Sequence, residues 1–203
     1  MSFRTEDKFY LNPEDKMKIN KFFTANGVKK IFPDRIIVSL YFDTDNLDMF
    51  CDSEEGTTPR KKIRIRQYNK LKKFDIESKE SLFEIKINSV EGKFKTSKKI
   101  SNVKKLIKFG YLDDMYGICM PKLFTFYKRS YYSLNNNRFT MDREMCFKNF
   151  NDKGKLLKNF YNLVICEVKS KSSLYNDYLR YLPIRNIRYS KYCEAVRHLN
   201  LHA

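Results

Sequence analysis

The sequence predicts an α+β fold in which a closed antiparallel β-barrel with a charged lumen carries helices packed on its outside. Several segments alternate apolar and charged residues with the period of two that is typical of β-strands. The chain contains 17 Phe and 14 Tyr, which make the apolar faces of these strands large. Three or four helical segments need apolar faces of this kind on which to pack. A closed barrel accommodates these helices and places the charged faces inside.

Composition indicates a folded chain with an anionic partner. The 42% hydrophobic content supplies one full-sized core and no linker interrupts the chain, so residues 1–203 are predicted to form a single domain. The formal net charge of +17 comes from 41 Lys and Arg against 24 Asp and Glu. This excess favours a polyanion such as nucleic acid, an anionic membrane or polyphosphate.

The cysteines, the histidines and the N-terminus exclude several classes of protein. The five cysteines lie far apart, which predicts reduced thiols in a cytoplasmic protein rather than a zinc site or a disulfide framework. His198 and His202 stand at the C-terminus, so histidine-based catalysis is not expected. No apolar run approaches the roughly 20 residues of a membrane span, and the start is no signal peptide. Membrane recruitment would therefore need the protein surface or a partner, and the oligomeric state stays open.

The N-terminal region predicts a strand followed by a helix. Residues 4–11 alternate as a strand. Asn12 suits the N-cap of a helix that begins at Pro13 and ends near Gly27. The inner stripe of this helix is predicted to consist of Met17, Ile19, Phe22 and Phe23.

Two further strands and a loop come next. Residues 36–43 are β-branched and aromatic, which indicates a buried strand. Residues 53–59 are predicted to form a loop. Residues 62–68 alternate, so that Ile63 and Ile65 point to one face and the cations point to the other. These cations are Lys62, Arg64 and Arg66.

The middle of the chain predicts a connection, a strand and a short helix. Residues 69–80 are polar and join the previous strand to a strand at 81–88. Residues 93–100 add four lysines. Ser101 is predicted to cap a helix that Gly110 ends.

The C-terminal region predicts three strands and two helices. The strands are placed at residues 123–134, 138–142 and 163–170. A helix is predicted from Ser172 or Ser173 to Pro183, and Ser190 is predicted to cap the last helix. The buried side of the last helix is predicted to contain Tyr192, Ala195, Val196 and Leu199.

Charged residues lie two or four positions apart, and so on one face, in at least five of these strands. The sets are Glu6 with Lys8, Lys62 with Arg64 and Arg66, Glu84 with Lys86, Arg138 with Asp142, and Glu167 with Lys169. In a β-sandwich these sets would face water. In a barrel, arginines and lysines hold the phosphates of a polyphosphate or nucleoside triphosphate, and carboxylates hold a divalent cation. Phosphoryl transfer depends on positioning and charge, so it requires neither histidine nor cysteine.

The ordered motifs resemble those of the triphosphate tunnel metalloenzymes, and within them the polyphosphate-polymerase domain of the vacuolar transporter chaperone (VTC) family. The motifs are Arg4-x-Glu6-x-Lys8, the SLYFDT sequence at 39–44, Arg64-x-Arg66, Glu84-Ile85-Lys86, Tyr127-x-Arg129, Arg138-x-Thr140-x-Asp142, Glu167-x-Lys169 and Ser190-Lys191-Tyr192. Each motif is weak alone, whereas the ordered set spans nearly the whole chain.

The resemblance implies a metal-dependent polyphosphate polymerase that transfers the terminal phosphate of ATP to a growing polyphosphate chain in a basic tunnel. It implies Mn or Mg as the divalent cation. The implied catalytic residues are Lys191, Arg64, Arg66 and Glu167. The implied phosphate-binding residues are Lys8, Arg64, Arg66, Lys86, Lys99, Tyr127, Arg129, Ser190 and Lys191. The implied metal ligands are Glu167, Glu6 and Glu84.

Several assignments stay open at this point. Lys98 competes with Lys99, and Asp142 is a candidate for orienting other side chains. Glu6 and Glu84 serve equally well as metal ligands, as partners that orient lysines, or as structural ion pairs. Asp43 is expected to hold the turn after its strand.

Two other functions fit the same residues. One is a triphosphatase of the same fold, acting on inorganic triphosphate, a nucleotide or an RNA 5′-triphosphate. The other is a non-catalytic module that binds polyanions. The opening Glu6-x-Lys8 departs from the two-glutamate opening of the triphosphatase branch, which favours the polymerase. No nucleic-acid motif is present, so nucleic acid is not an expected partner.

Overall fold

The computed structural model of the chain describes residues 5–135, 137–152, 157–158, 164–170 and 186–202. The elements in these residues are β1 (Thr5–Leu11), α1 (Pro13–Ala25), β2 (Lys29–Asp43), α2 (Asp48–Glu55), β3 (Arg60–Asn69), β4 (Ser81–Ser89), β5 (Gly92–Ile100), α3 (Val103–Phe109), β6 (Tyr111–Asp113), β7 (Gly117–Leu134), β8 (Asn137–Asn149), β9 (Leu157–Lys158), β10 (Val164–Ser170) and α4 (Lys191–His198). None of the helices in these ranges has the length and apolar character needed to span a bilayer.

The strands form an antiparallel sheet in the order β1-β10-β8-β7-β2-β3-β4-β5, with β6 added to β7 and β9 added to β8. This sheet and the separate helices confirm the predicted α+β class. The order begins at β1 and ends at β5, and no ladder joins these two strands within the described ranges. The predicted closure into a barrel is therefore not observed there, because closure requires a ladder between the two end strands.

The chain divides into two compact units. The first unit consists of Met1–Arg35, Tyr127–Met145 and Asn159–Tyr189, and the second of Ile36–Phe126, Cys146–Lys158 and Ser190–Ala203. Each unit has its own apolar cluster.

In the first unit, α1 packs its apolar side on the sheet. Asn12 caps the helix by accepting a hydrogen bond from the backbone amide of Asp15 at 2.8 Å, as predicted. Ile19 and Phe23 are buried in a cluster with residues of β1, β8 and β10. The inclusion of Met17 in this stripe was wrong, because the helical repeat of 3.6 residues places it nearly opposite Ile19 and Phe23, and it is 62% exposed.

In the second unit, the apolar face of β3 lies in the core. Ile63 and Ile65 are fully buried in one cluster with Met49 of α2 and Val103 of α3. The two isoleucines therefore lie in a core to which helices contribute. Strand alternation therefore directs the cations of β3 to the opposite face of the sheet.

The helix α2 was not predicted, because the sequence was interpreted as a loop at 53–59. Its first turn is stabilised from outside the helix. The Asp43 carboxylate at the end of β2 accepts hydrogen bonds from the amides of Met49 at 3.0 Å and Phe50 at 3.1 Å. The same carboxylate accepts from the amide of Thr44 at 2.8 Å, so Asp43 holds the turn as predicted. The helix ends at Gly56, which adopts a left-handed φ of 87°.

Other element boundaries differ from the sequence prediction in detail. The strand predicted from residue 36 begins at Lys29, and β7 begins at Gly117 rather than residue 123. The N-cap of α3 is Asn102 rather than Ser101. Ser190 caps α4 as predicted. The helix predicted between residues 172 and 183 lies outside the described residues.

Candidate functional site

The strand β3 carries a charged face opposite its isoleucines. In the ladders, Arg64 pairs with Tyr41 on one side and with Glu84 on the other. Arg66 pairs with Ser39 and Leu82. Directly paired residues of an antiparallel ladder point to the same face, so these side chains lie together. We define the arginine face as Tyr41, Arg64, Arg66, Glu84 and Lys95.

Glu84 is the central anion of the arginine face and is fully buried. Its Oε2 atom lies 2.8 Å from the Nε and 2.6 Å from the Nη2 of Arg64. The Nη1 of Arg66 lies 3.7 Å from the same oxygen, and the Nζ of Lys95 lies 2.5 Å from Oε1. Three cations thus surround one carboxylate, which leaves this face with a net positive charge.

The ion pairs of Glu84 change its acidity. Burial raises the pKa of the Glu84 carboxyl, but the positive charges of Arg64, Arg66 and Lys95 outweigh burial and lower the pKa to about 2. Glu84 is therefore ionised at neutral pH. In this arrangement it is a counter-ion that fixes the two guanidiniums, which is the ion-pair role that the sequence left open.

Tyr41 belongs to the arginine face, although the sequence interpretation did not select it. Its hydroxyl accepts a hydrogen bond from Nη1 of Arg64 at 2.9 Å, and its ring stacks on that of Tyr192 at a centroid distance of 5.1 Å. Burial raises the pKa of the Tyr41 phenol. The positive charges of Arg64, Arg66 and Lys191 lower this pKa by more than burial raises it, so the net shift is downward. The sequence did contain a signal for Tyr41, because it alternates with Ser39 and Asp43 and so shares their face of the strand.

The N-terminus of α4 lies beside β3. The Nζ of Lys62 donates to the hydroxyl of Ser190 at 2.8 Å, and the same hydroxyl accepts from the amide of Cys193 at 3.3 Å. Tyr192 donates to the Asp43 carboxylate at 2.5 Å. Ser190 and Lys191 are thereby held in the second unit together with the arginine face.

The remaining predicted lysines of this unit lie on β4 and β5. Lys86 pairs with Lys62 on one side and with Lys95 on the other, which places it on the same face as Glu84. Lys99 pairs with Leu82 and so shares that face, whereas Lys98 pairs with Phe83 on the opposite face. The ammonium of Lys99 contacts the exposed carboxylate of Glu80 at 3.0 Å.

The first unit has a second charged face, which we call the glutamate face. In the ladders, Glu6 pairs with Lys169, and Lys8 pairs with Glu167. The members of this face are Glu6, Lys8, Arg129, Asp142, Glu167 and Lys169. Three carboxylates and three cations belong to this set, and Arg138 pairs with Lys169 and so adds a fourth cation to the same face.

Two glutamates converge on one ammonium in the glutamate face. The Nζ of Lys169 lies 3.1 Å from Glu6 and 3.0 Å from Glu167. Lys8 lies 3.6 Å from Glu6, and its Nζ donates to the carbonyl oxygen of Tyr189 at 2.9 Å. Lys169 was absent from the predicted site, although it stands two residues after Glu167 and so shares its strand face.

Arg129 is held in place by Asp142. Its Nε and Nη2 atoms form a bidentate pair with the fully buried Asp142 carboxylate at 2.5 and 2.6 Å. The same Nη2 lies 3.5 Å from Glu167, and the guanidinium lies 5.4 Å from the centroid of the Tyr127 ring. Burial lowers the pKa of Arg129, but the Asp142 charge outweighs burial and raises it well above its ordinary value. Asp142 therefore orients Arg129.

The glutamate face has donors suited to a divalent cation. Glu6 and Glu167 already direct their carboxylates to one cationic group, the Lys169 ammonium. No group of three or more His, Cys, Asp and Glu suited to a metal exists within the described ranges. Mg²⁺ is commonly held by one or two carboxylates together with substrate phosphates, and the two glutamates fit this pattern. Glu84 is held instead by Arg64, Arg66 and Lys95.

Comparison with known proteins gives a family and several structural neighbours. The model of the VTC domain family matches residues 3–200. No curated protein matches the chain. Similar solved structures include a protein of Pyrococcus horikoshii, with 18% identity, a TM-score of 0.58, and coverage of 95% of this chain and 99% of that one.

Two other neighbours have names that refer to adenylate cyclases. An adenylate cyclase-like protein of Bacillus halodurans has 13% identity and a TM-score of 0.57, with 94% of this chain and 96% of that one covered. An adenylyl cyclase-like protein of Hippeastrum, described as having a dominant triphosphatase activity, has 13% identity and a TM-score of 0.52, with 97% and 96% covered. At these identities the likeness shows the shared fold.

Proposed function

Because the chain belongs to the VTC domain family, we propose that it is a metal-dependent polyphosphate polymerase that uses ATP. A terminal oxygen of the polyphosphate chain attacks the γ-phosphorus of ATP, and the bond between this phosphorus and the bridging oxygen of ADP breaks. The products are ADP and a polyphosphate chain that is one phosphate longer.

The single observation that carries this proposal is the fixed pair of guanidiniums on β3. Arg64 and Arg66 are each only 7% exposed, and Glu84 holds them at defined distances. Guanidinium groups bind phosphate with planar, bidentate geometry and keep their charge at all relevant pH values. Because these side chains are already ordered, binding a phosphate costs little additional side-chain entropy. Lys191, Lys86 and Ser190 would add contacts from α4 and β4.

The glutamate face has the complementary role in this proposal. Glu6 and Glu167 would hold Mn or Mg, which supplies charge neutralisation at the phosphate oxygens when it is bound. Lys8 and Arg129 would bind phosphate beside it, with Tyr127 supporting Arg129. The tunnel predicted from the sequence is part of the proposal.

Product analysis tests the proposal. We expect incubation of the protein with ATP and Mn to give a ladder of polyphosphate on a gel and an equivalent amount of ADP. Removal of the metal with a chelator should abolish the ladder. Release of orthophosphate without a ladder would contradict the polymerase and favour a triphosphatase, the activity described for the Hippeastrum neighbour. Polyphosphate binding without consumption of ATP would identify a non-catalytic polyanion-binding module.

A further inference from the structure

Large apolar side chains are exposed on the hairpin of β6 and β7 and at the end of α3. Leu112 is 74% exposed and Ile118 is 63% exposed. The two residues pair directly across the ladder, so they point to the same face. Phe109 ends α3 and Met115 lies in the turn of the hairpin, and both are also exposed. We call Phe109, Leu112, Met115 and Ile118 the hairpin patch.

The inner face of this hairpin is already packed. Tyr111 pairs with Cys119, which is fully buried, and the Tyr111 ring lies 4.9 Å from that of Phe83. Leu112 and Ile118 are therefore directed outward by strand alternation and contribute little to this core. The outer face of an antiparallel pair is usually polar, so two branched aliphatic residues there are unusual.

The end of α3 and the hairpin approach each other closely at Gly110. Gly110 joins them with a φ of 73°. A Cβ atom at this position would lie 2.7 Å from the carbonyl oxygen of Cys119 and 3.3 Å from Cγ2 of Ile118. Glycine thus permits the close approach of the end of α3 to Ile118 of the hairpin.

Lysines border the hairpin patch. Lys104, Lys105 and Lys108 are exposed on α3, and the Nζ of Lys108 lies 5.2 Å from the centroid of the Phe109 ring. The neighbouring acidic residues have lysine partners. Asp113 and Asp114 both contact Lys61, and Glu77 contacts Lys104. Together with Lys61, the three lysines of α3 make four cations against these three carboxylates, so the border has a small positive excess.

We propose that the hairpin patch docks on an anionic lipid surface. Proteins that bind such surfaces commonly combine two kinds of contact. Apolar side chains insert at the membrane interface, and neighbouring lysines contact the anionic headgroups. The positive border provides the charge complementarity that selects this partner. The proposal does not rest on the proposed enzymatic function, and its test contains no ATP.

Vesicle flotation with the full chain tests the docking proposal. We expect the protein to float with phosphatidylcholine vesicles that contain phosphatidylserine and not with phosphatidylcholine alone. The variant Leu112→Ser/Ile118→Ser should bind at least about tenfold more weakly, because the inserting side chains are lost. The variant Lys105→Gln/Lys108→Gln should bind about thirtyfold more weakly, since each lysine near an anionic surface contributes about one kcal/mol.

Matched controls separate this patch from the general positive charge of the chain. The variants Met17→Ser/Val90→Ser and Lys16→Gln/Lys21→Gln remove exposed side chains of the same kinds elsewhere and should bind like the wild type. Equal binding by patch and control variants, or no binding to anionic vesicles, would overturn the proposal. So would a dimer, detected by analytical ultracentrifugation, that only Leu112→Ser/Ile118→Ser abolishes while vesicle binding persists.

Discussion

Replacing Glu167 with Gln is expected to lower the rate of polyphosphate formation by about a hundredfold to a thousandfold. The amide keeps the size of the side chain but removes the charge that, with Glu6, would hold the divalent cation. Binding of polyphosphate should be retained or strengthened, because a negative charge is lost beside Lys169 and Arg129. Product gels and equilibrium binding, measured on the same preparation, check both expectations.

Glu91→Gln provides the control for this variant, since Glu91 is exposed in the turn between β4 and β5. It should form polyphosphate at the wild-type rate. A Glu167→Gln protein with wild-type activity would remove Glu167 from the proposed site. Equal losses of activity and polyphosphate binding, with a lower melting temperature, would indicate a structural role instead.

Replacing Glu84 with Gln is expected to lower the free energy of unfolding at neutral pH by about 3–5 kcal/mol. The substitution leaves two buried guanidiniums without the carboxylate that neutralises them, and an uncompensated buried charge is costly. Glu80→Gln is a matched control, because Glu80 pairs with Lys99 on the exposed surface and such pairs contribute about 1 kcal/mol or less. Denaturant unfolding of the three proteins measures the difference.

The pH dependence of stability gives an independent test of Glu84. Its pKa in the folded protein is about 2, compared with an ordinary value of 4.5. A lowered pKa stabilises the folded state above the unfolded-state value, and this stabilisation is lost as the pH falls from about 4.5 to about 2. The wild type should therefore lose about 3 kcal/mol in this window through Glu84, and Glu84→Gln should lack that part of the loss. Identical pH profiles would contradict the role of Glu84 as a buried counter-ion.

Features with a local physical cause were predicted correctly from the sequence. The alternation at Lys62 to Arg66 places Ile63 and Ile65 in the core and Arg64 and Arg66 on the other face, because the strand repeat depends on few neighbours. The caps at Asn12 and Ser190 were also found, since a cap involves residues only three positions apart.

Features that depend on distant contacts were missed. The first turn of α2 is stabilised by the carboxylate of Asp43, which lies at the end of β2, so the residues of the helix itself carry little signal. Lys95 contacts Glu84 only because of the register between β4 and β5, which the sequence does not specify. The error at Met17 differs in kind, because the 3.6-residue repeat of the helix alone would have excluded it from the stripe.

A crystal structure of the protein with a nonhydrolysable ATP analogue and Mn tests the central claim most directly. We predict phosphate oxygens within hydrogen-bond distance of Arg64 and Arg66, further phosphate contacts at Lys8 and Arg129, and a metal ion on Glu167. A triphosphate bound elsewhere, with Arg64 and Arg66 contacting no phosphate, would contradict the assignment of these faces as the phosphate-binding site.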